Sequence, residues 1–311
     1  MILVTGSSGP FGNAFKSLKN ASEFIFVDSS DFNLLNLDSS FKYIEKLSKK
    51  FSISGVIHLA AKSGGAELSK NKPGTLFSEN IIMVLNLLAV CKKLSISRVI
   101  LTLSTTCYSN ELIAPEENMI HSGPLLGADY SYGYAKRMFE PIMRSYNAEF
   151  GIKISCILVN GIIGPFMNFI DGESILPAAL IKRFYGLKNG GERLEVWGDG
   201  SPIREYTFST DLAGATIWCF NNQEINTLLN IGSTEKITVK QCALEICSAL
   251  DIDSNRLFFD SSKPNGRLIQ NTSNTEFVSR SNFVYTNFSK MIHDTVKWYE
   301  SALNNNVDFK R

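Results

Sequence analysis

Residues 1–160 alternate two hydrophobic rhythms. Short, nearly continuous apolar runs at 2–4, 24–27, 56–59, 99–103 and 154–159 have the pattern of strands buried on both faces. Between them apolar residues follow helical spacing. Phe11, Ala14, Phe15 and Leu18 stand at i, i+3, i+4 and i+7. Further helices are expected near 41–51, 80–94 and 132–150. Repeated strand–helix units predict an α/β fold, a doubly wound parallel sheet with helices on both sides.

After Gly164-Pro165 the rhythm changes. Gly172, Pro177, Gly190, Gly191, Gly198, Gly200 and Pro202 break the chain into short elements. Helices are expected at 210–220, with Thr210 as N-cap and Asp211 in the first turn, at 239–250 and at 290–303. A strand is expected at 228–231. This predicts a dinucleotide-binding domain over 1–163, rejoined by about 209–235. A smaller mixed α/β region, 164–208 and 236–311, would bind substrate through its loops.

Composition narrows the function classes. The 311 residues are 44% hydrophobic and 20% charged, ordinary for a globular protein. A net charge of +1 gives no electrostatic case for nucleic acid or an acidic membrane surface. The longest apolar run, 81–90, is interrupted by Asn86 and too short to span a bilayer. The first strand starts at once, without the basic segment of a signal peptide. Six scattered cysteines, with no Cys-x2-Cys pair, argue against a disulfide framework or a metal site and for a reducing, cytoplasmic setting.

Candidate chemistry starts at Gly6-Ser7-Ser8-Gly9-Pro10-Phe11-Gly12, between the first strand and the first helix. Glycines there let the chain turn tightly and approach a pyrophosphate, and Pro10 suits a first helical turn. This is the Rossmann-like position for a dinucleotide. Asp28 ends the second strand. A carboxylate there accepts hydrogen bonds from an adenosine ribose and repels a 2′-phosphate. No Arg or Lys follows it until Lys42, so these residues alone point to NAD(H) over NADP(H).

Ser104 ends the strand at 99–103, on the side where a parallel sheet carries its ligand crevice. Tyr132 and Lys136 stand four residues apart on one helix face. An ammonium beside a phenol favours the phenolate, so Tyr132 can move a proton nearer neutrality and protonate an alkoxide as a carbonyl accepts hydride. A solvated helix face gives the same pair; Ser104 and the glycine turn favour the catalytic reading.

With these residues on the page, the chain resembles the extended short-chain dehydrogenases/reductases, the NAD-dependent epimerase/dehydratase family. Gly6/Gly9/Gly12, His58-Leu59-Ala60-Ala61, Asn80, Ser104 and Tyr132/Lys136 match its order and spacing. The resemblance implies that Tyr132 is the acid/base, that Lys136 lowers its pKa and holds the nicotinamide ribose, and that Ser104 orients substrate. It places Leu59, Ala60 and Ala61 beside the cofactor. Within the family the chain is most similar to the GDP-L-fucose synthases, through the stretches 58–65, 123–124, 196–206 and 229–238. That similarity implies a GDP-linked sugar as substrate, NADPH as cofactor and a homodimer built on the helices near 80–94 and 132–150. Arg204 would bind the diphosphate, and Thr105, Thr106, Asn168, Ser174, Arg183 and Trp197 would line the substrate.

The departures matter as much. The family's epimerisation uses a Cys two residues after the triad Ser and a His three residues before a Pro-Ala. Here those positions are Thr106 and Ser174. Cys107 is one residue off, and in an extended strand it would point to the other face. Hydroxyls titrate far from neutrality and cannot replace a thiol and an imidazole. Thr105 and Thr106 also lack the Asp-Glu of the resembling dehydratases. The expectation is a C4 ketoreductase of a 4-keto-6-deoxy sugar without 3,5-epimerase activity. NADP(H) is kept ahead of NAD(H) on the resemblance, against Asp28. The competing readings are an NAD-dependent C4 epimerase, which consumes no net cofactor, a bifunctional synthase, and a non-catalytic nucleotide sensor, which has no need of Tyr132 and Lys136 together.

Overall fold

Apolar runs with β-branched residues form the strands of one six-stranded sheet. In chain order its half of the molecule contains β1 (Ile2–Thr5), α1 (Pro10–Lys16), β2 (Phe24–Val27), α2 (Leu37–Ser48), β3 (Gly55–His58) and α3 (Ala66–Asn71). It continues with α4 (Pro73–Lys93), β4 (Arg98–Ser104), α5 (Tyr130–Arg137), α6 (Phe139–Phe150) and β5 (Lys153–Val159). This is a computed structural model, and it describes residues 1–64 and 66–307. Gly65, the last residue of the 58–65 stretch, lies outside the described residues.

The second half contains β6 (Gly161–Ile163), α7 (Leu176–Gly186), β7 (Leu194–Trp197), β8 (Ile203–Phe208), α8 (Ser209–Asn221) and β9 (Leu228–Asn230). It ends with β10 (Lys236–Thr238), α9 (Val239–Leu250), β11 (Leu257–Asp260), α10 (Thr275–Ser281) and α11 (Phe288–Asn304).

The large sheet has the order β2-β1-β3-β4-β5-β9, and every pairing is parallel. The expected Rossmann-like α/β architecture is therefore present. From β1 the chain first adds β2 on one side, then β3 on the other. The carboxyl ends of β1 and β3 thus flank the point where the winding reverses, the place where open α/β sheets bind ligands. Two apolar layers cover the sheet, one built on α2, α4 and α6, the other on α1 and α8. A separate core joins α7, α9 and α11 to a three-stranded sheet, β10-β8-β6, and a two-stranded one, β11-β7.

Two pieces cross the division expected from sequence. Gly161–Ile163 pairs with β8, not with the large sheet. Residues 277–285 return to the large sheet's outer layer, where Phe277 meets Trp218 edge-on. Several helix limits also differ. The helix expected at 132–150 is two, because Pro141 has no N–H for the Arg137 carbonyl and its ring crowds that carbonyl. The helix expected at 41–51 starts at Leu37, capped by Asn36, whose side chain accepts from Ser39 N–H. Thr210 is not an N-cap: α8 starts at Ser209, and the Asp211 carboxylate instead takes the Thr286 amide and hydroxyl.

The helix expected at 80–94 starts at Pro73, giving α4 enough length and apolarity to cross a membrane by those criteria alone. Its Leu76, Val84, Leu87, Leu88 and Cys91 are buried, and most of them pack into the layer beside the sheet.

Candidate active site

A cleft of about 950 Å³ opens at the carboxyl ends of the parallel strands, between the large sheet and the smaller ones. The glycine turn forms one end. Gly6 has φ +72°, and a Cβ there would stand 2.5 Å from the Ala60 nitrogen, so only glycine lets the turn lie against the β3 loop. Asn13 donates to the Ser8 and Gly9 carbonyls and fixes the turn. α1 begins with Pro10 as expected. Gly6, Gly9, Pro10, Phe11 and Asp28 line this end. Gly12 does not; it is buried against the Ser7 backbone and serves the packing of turn on helix.

Leu59, Ala60 and Ala61 line the cleft beside the glycine turn. Asn80 sets their loop by accepting from Lys62 N–H and donating to the Lys62 carbonyl. Beneath lies buried His58, whose Nδ1 is 2.8 Å from Thr5 Oγ1. Burial, then the Lys136 charge, push its pKa down to about 3, so it is neutral.

Asp28 carries its own turn. Its Oδ1 accepts from the Ser30 amide and hydroxyl, at 2.8 and 2.6 Å. The cationic side chains lining the cleft are Lys62, Lys136 and Arg204.

Ser104, Thr105, Thr106, Tyr132 and Lys136 meet in the middle of the cleft. Ser104 ends β4 in register with Val159 of β5. Its Oγ accepts from Thr106 N–H at 3.3 Å, capping a single 3₁₀ turn at 105–107. α5 packs directly on that turn. A Cβ on Gly133 would lie 2.5 Å from the Thr106 carbonyl oxygen, so the glycine after Tyr132 is what admits the helix. Arg137 clamps the pair, donating Nε and a terminal nitrogen to the Cys107 carbonyl at 2.8 and 2.6 Å. Cys107 is buried and outside the cleft, with its thiol pushed up to about 12 by burial. The cause is this turn, not the strand alternation expected from sequence.

Lys136 is buried and donates from Nζ to the Thr102 carbonyl at 2.8 Å. Burial pushes it down to about 8. Its Nζ is 5.8 Å from the centre of the Tyr132 ring. Burial dominates both groups: it raises the Tyr132 phenol, against the lowering expected from Lys136.

Residues 2–232 match the model of the NAD dependent epimerase/dehydratase family. The chain belongs to that family. The cleft takes in some of the residues expected on the substrate side. Arg204 and Asn168 line the cleft; Ser174, Arg183 and Trp197 do not. Ser174 N–H closes a turn on the Ile170 carbonyl, and its neighbours Glu173 and Ile175 reach the cleft instead. Arg183 donates to the Glu195 carbonyl, tying α7 to β7. Trp197 is 60% exposed, with Lys263 Nζ 5.9 Å from its ring.

Sequence reasoning missed Asn160, Gln270, Asn271 and Thr272, which also line the cleft. Asn160 was legible, because it directly follows a strand whose end faces the crevice. The other three come from a segment with no helical or strand period. Among relatives, a GDP-L-fucose synthase of Dictyostelium discoideum is 31% identical over 96% of this chain and 94% of its own. A GDP-L-colitose synthase of Yersinia pseudotuberculosis is 29% identical over 89% and 91%. A GDP-L-fucose synthetase of Naegleria fowleri, solved bound to NADP, superposes with TM-score 0.89 at 27% identity, over 99% and 94% of the two chains.

Proposed function

We propose that the protein is an NADPH-dependent reductase acting on the C4 ketone of a GDP-linked 4-keto-6-deoxy sugar, without 3,5-epimerase activity. The observation that carries this reading is the meeting of Ser104, Tyr132 and Lys136 in one cleft with the glycine turn. The relatives named above make GDP the nucleotide of choice, and the NADP-bound neighbour supports that cofactor. The residues present fit a dinucleotide: Gly6, Gly9 and Pro10 line the cleft at the start of α1, and a Cβ on Gly9 would meet nothing nearer than 3.8 Å, which leaves room for a pyrophosphate. A 2′-phosphate would meet the Asp28 carboxylate, which repels it, and the Ser29 hydroxyl, which can donate to it.

When bound, the nicotinamide supplies hydride to the ketone carbon. Ser104 orients the ketone oxygen, and Tyr132 gives that oxygen its phenolic proton. Lys136, fixed on the Thr102 carbonyl, holds positive charge beneath the phenol as it ionises. Arg204 takes the diphosphate through its guanidinium. Thr106 lines the cleft, Ser174 lies outside it, and neither brings an acid or base suited to removing the C3 or C5 proton.

The test is turnover of GDP-4-keto-6-deoxymannose in D2O. NADPH oxidation without enzyme-dependent deuterium at C3 or C5 is expected. Deuterium at either carbon defeats the claim of a pure reductase, and no oxidation of either NADPH or NADH defeats the reductase itself. A homodimer through α4, α5 and α6 and a cytoplasmic location complete the proposal. Phe77, Ile82 and Leu85 of α4 and Met138 at the α5–α6 break are exposed, which suits a second copy there.

A further inference from the structure

One wall of the cleft is a strap, residues 268–273, laid beside β8. Ile203 donates to the Leu268 carbonyl and accepts from Gln270 N–H, at 2.8 and 3.1 Å. Farther along, the strap leaves the backbone ladder. Thr272 donates both its amide and its hydroxyl to Glu205 Oε2, at 2.9 and 3.2 Å. Glu205 follows Arg204 directly on β8 and is 4% exposed. Its other oxygen, Oε1, has no hydrogen-bond partner. Asn160 donates one N–H to the Ser233 carbonyl and accepts from the Thr207 hydroxyl, and it stands close enough for its second N–H to act on the carboxyl.

A buried carboxyl with so few partners is a poor choice for stability, since its desolvation is repaid only in part. What Glu205 does accomplish is local. It fixes Thr272, the last of three strap residues lining the cleft (Gln270, Asn271 and Thr272), against the strand that carries Arg204. The far side of the strap is held separately: Asn271 Oδ1 accepts from Ala114 N–H, and Ser273 N–H donates to the Pro115 carbonyl. Without Glu205, the strap keeps its outer attachments and its two backbone bonds to Ile203, and loses the one that holds Thr272 to β8.

We propose that Glu205 is a positioning residue for the nucleotide-sugar end of the cleft, holding the strap 268–273 at a fixed distance from Arg204. Its ligand, though not the clamp itself, rests on the reading above. The dinucleotide end, set by the glycine turn and Asn80, is independent of it.

The test uses the full chain as Glu205→Ala, Glu205→Gln and Thr272→Val. Hydrogen exchange is followed in peptides spanning 266–274, with GDP and NADPH affinities measured in parallel. Glu205→Ala should speed strap exchange and weaken GDP by about tenfold each, the scale of a lost hydrogen bond to a charged group, with NADPH unchanged. Glu205→Gln keeps an oxygen for Thr272 and should restore both to near wild-type values. Thr272→Val drops only the hydroxyl; a smaller acceleration, about threefold, is expected and decides the matter if Glu205→Ala does not fold. Unchanged strap exchange, or an equal loss of NADPH, overturns the proposal. A wild-type protein that ignores GDP overturns the substrate reading instead, while the exchange data still judge the clamp.

Discussion

The two ends of the cleft are built differently. At the dinucleotide end, most of the lining sits within a few residues of a strand terminus, with Asn80 of α4 as a brace. Gly6 follows β1, Asp28 follows β2, and Leu59 to Ala61 follow β3. At the substrate end, β8 supplies Arg204 and Glu205, but the opposing wall arrives more than 60 residues later as a strap without regular structure. A sheet positions the first end by register. The second end depends on single side chains such as Glu205, Asn230 and Asn271. One end is therefore a property of the fold, and the other a property of this chain.

The sharpest test of that contrast is Tyr132→Phe, at the junction of the two ends. It should lower kcat by about a thousandfold or more, the scale of a lost general acid, while NADPH affinity from fluorescence titration stays put. Next in size is Arg204→Ala. It should raise KM for the sugar nucleotide by about tenfold to a hundredfold, with KM for NADPH unchanged. A loss felt equally at both ends would break the comparison.

The pH profile probes the junction from another side. Lys136 is lowered to about 8 and carries its charge only when protonated. The rate should therefore fall on the alkaline side, through about 8, as the ammonium is lost; the phenol, raised by burial, does not ionise first. Lys136→Met should erase that limb from what activity remains. The smallest effect is expected from Asp28→Ser, which should shift the ratio of NADPH to NADH efficiency toward NADPH by less than about tenfold. A larger change would mean that the Ser30 turn does not absorb the carboxylate's charge.

Legibility in the sequence follows the same division. Buried parallel strands announce themselves as apolar runs, and the residues just past them occupy the crevice by topology. That logic reaches Gly6, Asp28, Ala60 and Ser104, and would have reached Asn160. It fails where position depends on distant partners. Arg183 looks like a ligand group, but the carbonyl it binds, at Glu195, is apparent only once β7 is in place. Ser174 lies between two residues that reach the cleft, and a one-residue difference in a turn has no periodic signature. The pKa of Tyr132 is beyond the sequence for a related reason. Spacing on a helix brings the ammonium near, but says nothing of how much water both groups give up on burial.

The break between α5 and α6 has a mechanical consequence. α6 packs into the layer beside the large sheet, whereas the eight-residue α5 is bolted to the 105–107 turn by Arg137. Pro141 removes one rung of the hydrogen-bond ladder between them. The short helix bearing Tyr132 and Lys136 thus has a mounting of its own: the turn that ends at Cys107 sets the alignment of the two groups, and the longer helix behind them is a separate piece.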